Sequence, residues 1–434
     1  MKINKKLTLL LSLLLVVSVF LSACNSSDSS ESAGSNGDED ISGTTITALL
    51  PPWTKIPDSM LDQFKEETGV TVDLQTMGWD DIHDKIVTSA AAGVSPADVT
   101  EFDWSWVGQF GAAGWFEPLD QYFDSETIDD TSTMPIFKYK DNYIAMPYSN
   151  DFRVTYLNES VFKDAGVTET PSTPEELMKA AEKIKNNGGM DYPMGIPLSA
   201  TEGSATPWYL MTKAFGGELF DEDGNPQFTD KSSAGYQAME YLISGMKENK
   251  VIDPSAVGIK DTDVISNFQN GKIAIDLAGW VGNMSLYEDD SKSSVAGNVK
   301  MKPTPGKDGD SRTFGLVEGY GIPKASKHKK AAAEFIKFLV QPEQMEKMYT
   351  DLGLMPNRQS VLEDLNDQGK LVGGDTILDV LPTVEPLFKQ GTPSWYPKFS
   401  TDVATTINQI AKGSMTVDEG ISHIADNVKS IQGE

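Results

Sequence analysis

The rhythm of apolar and polar positions changes several times along this chain, and each change marks an element. Residues 7–20 are almost wholly apolar behind a short basic start of Lys2, Lys5 and Lys6. The run is too short to span a bilayer as a helix and has the length of a signal-peptide core. From residue 25 to 43 nearly everything is Ser, Gly, Asp or Glu, so little surface can be buried and a flexible tether is expected. The pattern then becomes structured. A β-rich run at 44–50 stops at Pro51-Pro52, and residues 57–68 carry Met60, Leu61 and Phe64 on one helical face before Gly69. Strands are predicted at 70–77 and 97–102, with helices at 80–92 (closed by Gly93) and 104–113. Strand–helix alternation of this kind implies parallel pairing and an α/β layered body.

Further along, 138–147 reads as a hairpin turned at Lys140-Asp141-Asn142, and 154–157 as a strand. A helix is predicted over 174–187, with Thr173 as N-cap and Glu176 at the capping-box position. Others are predicted at 231–250, 328–340 and 416–431, the last with apolar residues at steps of four and three, and a strand at 272–277. No internal repeat at solenoid spacing is present.

Composition narrows the chemistry. The 434 residues hold 36 basic and 64 acidic side chains, a net charge of −28, which argues against a nucleic-acid partner because no basic excess exists to neutralise phosphates. The length suits two domains or one large one. One cysteine rules out an internal disulfide framework and multi-cysteine metal sites, and three scattered histidines (His83, His328, His423) make a histidine metal centre a poor reading. Neither a metal nor a cofactor is expected.

That one cysteine has an informative position. Leu21-Ser22-Ala23-Cys24 follows the apolar run directly and resembles the lipobox of bacterial lipoproteins, in which the thiol receives a diacylglycerol and cleavage leaves the cysteine first. Removal of residues 1–23 takes three lysines with it and moves the charge from −28 to −31. A protein held at a membrane face while working in the aqueous phase is the expectation.

Catalytic motifs are mostly absent. The Gly271-Lys272 pair lacks the upstream glycine of a phosphate loop, since position 266 is Ser266. The run Asp221-Glu222-Asp223-Gly224-Asn225 has its glycine in the wrong place for a calcium loop and reads as a polar turn. No G-x-S-x-G or H-E-x-x-H occurs. The positive signal is where the aromatics fall. Trp53 follows the first strand, Asp103, Trp104 and Trp106 the third, and Trp280 the strand at 272–277. Ligands of α/β sheets bind outside the carboxyl ends of strands. An aromatic ring stacks on the C–H face of a pyranose while a neighbouring carboxylate accepts from its hydroxyls. Core packing is the alternative for each tryptophan. Trp115 reads as structural, and Trp79 and Trp208 are open.

Four segments resemble the extracellular sugar-type solute-binding proteins of ABC importers, the maltose-binding-protein-like family. Asp84-Lys85-Ile86 with Ala90 to Val99 is similar to its early helix and third strand. Tyr156-Leu157-Asn158 through Gly166, followed by Pro171 to Leu177, is similar to its "YN-x-x-x-F-x-x-AG…P-x-TW-x-E-L" stretch, with Pro174 where Trp is usual. Phe268 to Ile275 with Gly279-Trp280, and Ala332 to Leu339 with Gly353 to Pro356, resemble two later stretches. The resemblance implies a type II periplasmic-binding-protein-like fold of two lobes, with the chain crossing at a hinge. Lobe one would hold 44–148 and 317–358, and lobe two 152–312 and 372–434, behind the signal peptide (1–23) and tether (24–43). It also implies Trp280 as a stacking residue, Phe102 to Trp106 as a ligand loop, and Trp395 as a late aromatic. Glu318 and Tyr320 lie where the chain recrosses, and Asp151 and Arg153 at the first crossing. Arg153 can hold a hydroxyl or carboxylate with its planar fork, or form an interlobe salt bridge.

The implied function is a monomeric, lipid-anchored receptor on the outer face of a bacterial membrane. It would capture a carbohydrate in the interlobe cleft and deliver it to an ABC permease, with no bond broken. A secreted glycoside hydrolase using cleft carboxylates, a structural surface lipoprotein, and a receptor for a non-sugar solute are the alternatives.

Overall fold

The computed structural model describes residues 40–389 and 391–433. The predicted signal segment, Cys24 and all but the end of the tether lie outside the described residues. Nine strands build the two larger sheets. In chain order they are β1 (Thr45–Leu50), β2 (Thr71–Thr76), β3 (Val99–Asp103), β4 (Met146–Pro147), β5 (Arg153–Asn158), β6 (Met194–Gly195), β7 (Ile275–Trp280), β8 (Val299–Lys302) and β9 (Glu318–Gly321). The first sheet has the order β2-β1-β3-β9-β4 and the second β8-β5-β7-β6. β1 lies parallel to β2 and β3, as the alternation predicted, while β9 returns antiparallel between β3 and β4. In the second sheet β5 is antiparallel to both β7 and β8. The chain therefore passes from one sheet to the other after Pro147 and comes back before Glu318. Short bonds join the crossing segments: Leu316 N donates to Asp151 O, and Asn150 N to Met355 O.

Local chemistry sets the ends of the elements. Helix Asp58–Thr68 stops at Gly69, whose φ of 74° a side chain would resist. Helix Pro174–Asn187 starts where Thr173 caps Glu176 N, but Glu176 reaches back to Ser172 N instead of the cap residue. Helix Val417–Gln432 carries the full reciprocal box between Thr416 and Glu419. The predicted strand at 272–277 lies three residues later, at β7. Gly271 makes a left-handed turn, and pairing begins at Ile275, where Ala274 N and Ile275 N both donate to Pro193 O. The predicted helix at 104–113 opens with a 3-10 turn, Trp104–Trp106, because the Asp103 carboxylate captures Ser105 N. The hairpin at 138–147 survives only as Lys138–Tyr139 against Asn142–Tyr143, since Met146 and Pro147 pair with β9.

Two apolar clusters carry the stability. One gathers β1 with helices Asp58–Thr68 and Lys329–Leu339, where the Phe64 ring lies 5.0 Å from Phe335 and 5.3 Å from Phe338. The other centres on helices Ala234–Lys247 and Tyr396–Lys412, with Leu242, Val403 and Ile407 inside. Trp208 belongs there, wholly buried, with Nε1 donating to Gly235 O at 2.7 Å.

Candidate functional site

The ends of both sheets face a cavity of about 990 Å3, at the upper end of the range for small-molecule sites. β1 delivers Trp53 through the Pro51-Pro52 stop. β3 delivers Asp103, Trp104 and Trp106. β9 begins at Glu318, directly opposite Asp103. From the second sheet, β5 begins at Arg153 and β7 ends at Trp280, and these two are also register partners. Eight of the ten predicted ligand residues line this cavity: Trp53, Asp103, Trp104, Trp106, Asp151, Arg153, Trp280 and Glu318.

Tyr320 and Trp395 do not line it. Tyr320 shares the face of Glu318 but sits one rung deeper, opposite Glu101, with the Tyr148 ring over it at 4.7 Å. Trp395 packs edge-on to Phe220, Phe388 and Phe399, at 5.4–5.8 Å. One residue further round, Tyr396 takes the cavity position and meets Trp104 at 4.7 Å. The tryptophans also differ in what they offer. Trp53 is 44% exposed, whereas Trp106 is 1% exposed and held among Trp79, Phe102 and Phe110. Trp79, Trp280 and Trp53 therefore present ring surface, and Trp104 and Trp106 form the floor. Sequence reasoning left Trp79 open and missed Glu202 and His83. Nothing local distinguishes Glu202 from an ordinary loop acid. Only the fold brings it to Tyr396 Oη, which donates to it at 2.6 Å, and to Ser400 Oγ.

The site is rich in buried acid. Trp53 Nε1 and Tyr148 Oη both donate to Glu318 Oε2, at 2.9 and 2.7 Å. The same phenol lies 3.1 Å from Glu101, behind the cavity wall, so one hydroxyl proton faces two carboxylates. Burial pushes the carboxyls of Glu101, Glu318 and Asp151 above the usual range. Asp103 accepts from Ser105 N at 2.8 Å and from Ser105 Oγ, yet burial still pushes it up to about 7.

Among the described residues Arg153 is the one guanidinium that lines the cavity. It is 3% exposed, its guanidinium carbon lies 3.1 Å from the centre of the Trp280 ring, and Nη1 donates to Ala278 O at 2.6 Å. Burial brings it down to about 10. Nε and Nη2 have no hydrogen-bond partner among the described residues. The bonded nitrogen goes to a backbone carbonyl, and among the described residues no salt bridge holds the guanidinium. Among the described residues no cluster of His, Cys, Asp and Glu is arranged to hold a metal ion. None of their helices is long and apolar enough to cross a membrane.

Comparison with known proteins fits this architecture. The maltose-bound MalE3 of T. maritima superposes with a TM-score of 0.79 at 22% identity, covering 89% of this chain and 100% of that one. The two-lobed, type II periplasmic-binding fold is thereby shared. A maltotriose-binding protein of Pyrococcus abyssi is 27% identical over 65% of this chain and 59% of its own length. A probable amino-acid ABC transporter periplasmic-binding protein of Sinorhizobium fredii is 24% identical over 69% of each. The bacterial extracellular solute-binding protein family matches residues 51–346, well over half of the chain, and this protein belongs to it.

Proposed function

We propose that this protein is a lipid-anchored receptor that captures a carbohydrate between its lobes and passes it to the permease of an ABC importer. The observation that carries the reading is the pairing of the exposed Trp53 ring and the part-exposed Trp280 ring with hydrogen-bonding groups (Asp151, Glu318 and Arg153) around one cavity. Rings take the apolar faces of a sugar, and the polar groups take its hydroxyls. No group here needs to break a bond; affinity comes from contacts made as the lobes close. Lobe one comprises 44–148 with 317–358, and lobe two 152–312 with 372–434, so that the 148–152 and 312–317 crossings act as the hinge. Cys24 carries the lipid and residues 25–43 the tether, which places a monomeric body at the outer face of the cell membrane. The maltose and maltotriose named for two similar proteins support a sugar.

A thermal-shift screen over mono- and oligosaccharides tests the reading. Saturable stabilisation by at least one sugar is expected. Silence across the panel, or turnover of a sugar in a product assay, would overturn it.

A further inference from the structure

The cavity is electrically lopsided. Asp80, Asp103, Asp151, Glu202, Asp261 and Glu318 line it, against Arg153 and His83. Neutral sugars do not require such an excess, because a backbone carbonyl or an amide serves a hydroxyl as well and needs no desolvated charge. The protein's own donors do not absorb it either. Glu318 takes two donors on one oxygen, Asp103 takes both of its donors on Oδ1, and the half-buried Asp151 carboxylate has no bonded donor among the described residues.

Arg153 adds the second, independent constraint. Its Nε and Nη2 are buried and unpartnered among the described residues, on a side chain that lines the same cavity, so a molecule that brings an oxygen to them supplies the missing bond. That oxygen need not be charged. Asp151, Asp261 and Asp276 already act on the guanidinium, so no unbalanced positive field surrounds it. A carboxylate ligand would meet the acid wall, whereas a hydroxyl would not.

From these two constraints we propose that the solute is an aminated sugar, its ammonium held by Asp151 with Asp103 and Glu318, and a hydroxyl held by Arg153. This rests on the carbohydrate reading and names the substrate class within it. The exposed Trp53 ring at the cavity strengthens it, since a ring face attracts a cation as well as a C–H surface. An amino acid would bring the ammonium but also a carboxylate. A polyamine would bring no oxygen for Arg153. Uronic acids would bring the wrong charge.

The test compares matched pairs that differ only in amine against hydroxyl: glucosamine and glucose, galactosamine and galactose, mannosamine and mannose, chitobiose and cellobiose. Titration calorimetry at about pH 7, with spermidine, lysine and glucuronate as further arms, gives the affinities. At least one aminated sugar is expected to bind tenfold or more tighter than its neutral partner, about the gain from one charge-assisted bond. Asp151→Asn, a change of charge without change of size, is expected to bring that ratio below about threefold. Glu318→Gln gives an independent second reading of the same ratio, with a melting curve for each variant to establish that it is folded. Neutral sugars binding as tightly as aminated ones would overturn the inference and leave the carbohydrate receptor standing. Spermidine, lysine or glucuronate outcompeting every aminated sugar would also overturn it. Silence of every sugar, neutral and aminated, would sink both.

Discussion

Lowering the pH of the ligand-free protein from 8 to 5 is expected to make it more stable, and the reason is Asp103. Its carboxyl is raised from 3.8 to about 7, by burial above all, so the folded state holds the proton more tightly than the unfolded chain does. Stability therefore falls as the pH rises between those two values and levels off above the upper one. Each unit is worth about 1.4 kcal/mol, so the stretch from pH 5 to 7 removes about 2.5 kcal/mol. Asp276, raised to about 6, mainly by burial, adds about 1.4 kcal/mol between pH 5 and 6. Together they make a loss of about 4 kcal/mol, a large share of a typical domain's stability. Carboxylates held low, such as Asp289 at about 2, give the opposite slope, but only below their unfolded value near 4. They leave the window from 5 to 8 untouched and set the acid side of a stability maximum near pH 5. Urea unfolding of the ligand-free protein at pH 5, 6, 7 and 8 measures the slope. Asp103→Asn keeps an acceptor for Ser105 N and removes the titration, so the loss over that range should shrink by about 2.5 kcal/mol. Stability that is flat or rising from pH 5 to 8, or an unchanged slope in Asp103→Asn, would refute the assignment.

Three further perturbations separate binding groups from packing groups. Trp53→Ala, at a side chain 44% exposed, should weaken ligand binding about tenfold while leaving the melting point nearly unmoved; Trp395→Ala should do the reverse, losing about 2 kcal/mol of stability with affinity within twofold. Arg153→Lys keeps the charge but loses the planar fork on Trp280 and the bond to Ala278 O, so affinity should fall at least tenfold in a calorimetric titration. Cys24→Ala, in cells of the native type, should release the protein from the membrane fraction, as detergent phase partitioning would read; retention in that fraction would count against the lipid anchor.

The fold was legible where pattern and punctuation coincide. The alternation from residue 44 to 113 gives the parallel half of the first sheet because each strand is stopped by Pro, Gly or an Asp cap that the chemistry of the backbone requires. β9 was not legible. Its four residues, Glu-Gly-Tyr-Gly, have neither β-branching nor alternation, and they form a strand only because β3 and β4 leave a slot between them. The helix Tyr396–Lys412 was not predicted, although Tyr396, Phe399, Val403, Ile407 and Ile410 recur at steps of three and four. The site follows the same division. Residues next to strand ends (Trp53, Asp103, Trp104 and Trp280) could be placed from sequence, since strand ends of such sheets face the ligand. Glu202 and His83 could not, because each reaches the cavity from a helix or turn whose position depends on packing far along the chain.

One physical tension links stability and function in this molecule. Carboxyls buried around the cavity make the empty protein less stable at neutral pH than at pH 5, and apolar residues of the same size would not. Glu101 shows the extreme: fully buried, repelled by Glu318 and Asp103, and offered only part of the Tyr148 hydroxyl. A fold selected for stability alone would discard such groups. On the aminated-sugar proposal a receptor has reason to keep those at the cavity, because a bound ammonium would lower their proton affinity. Binding would then release protons near pH 7, and affinity would weaken on acidification through the same range in which the empty fold gains strength. With an aminated sugar as the solute, ligand and proton would compete for one set of carboxylates, and the stability slope and the binding slope would have opposite signs. Two calorimetric titrations in buffers of different ionisation enthalpy measure the proton release directly. A release of zero would separate the buried acids from the ligand and leave them as structural groups alone.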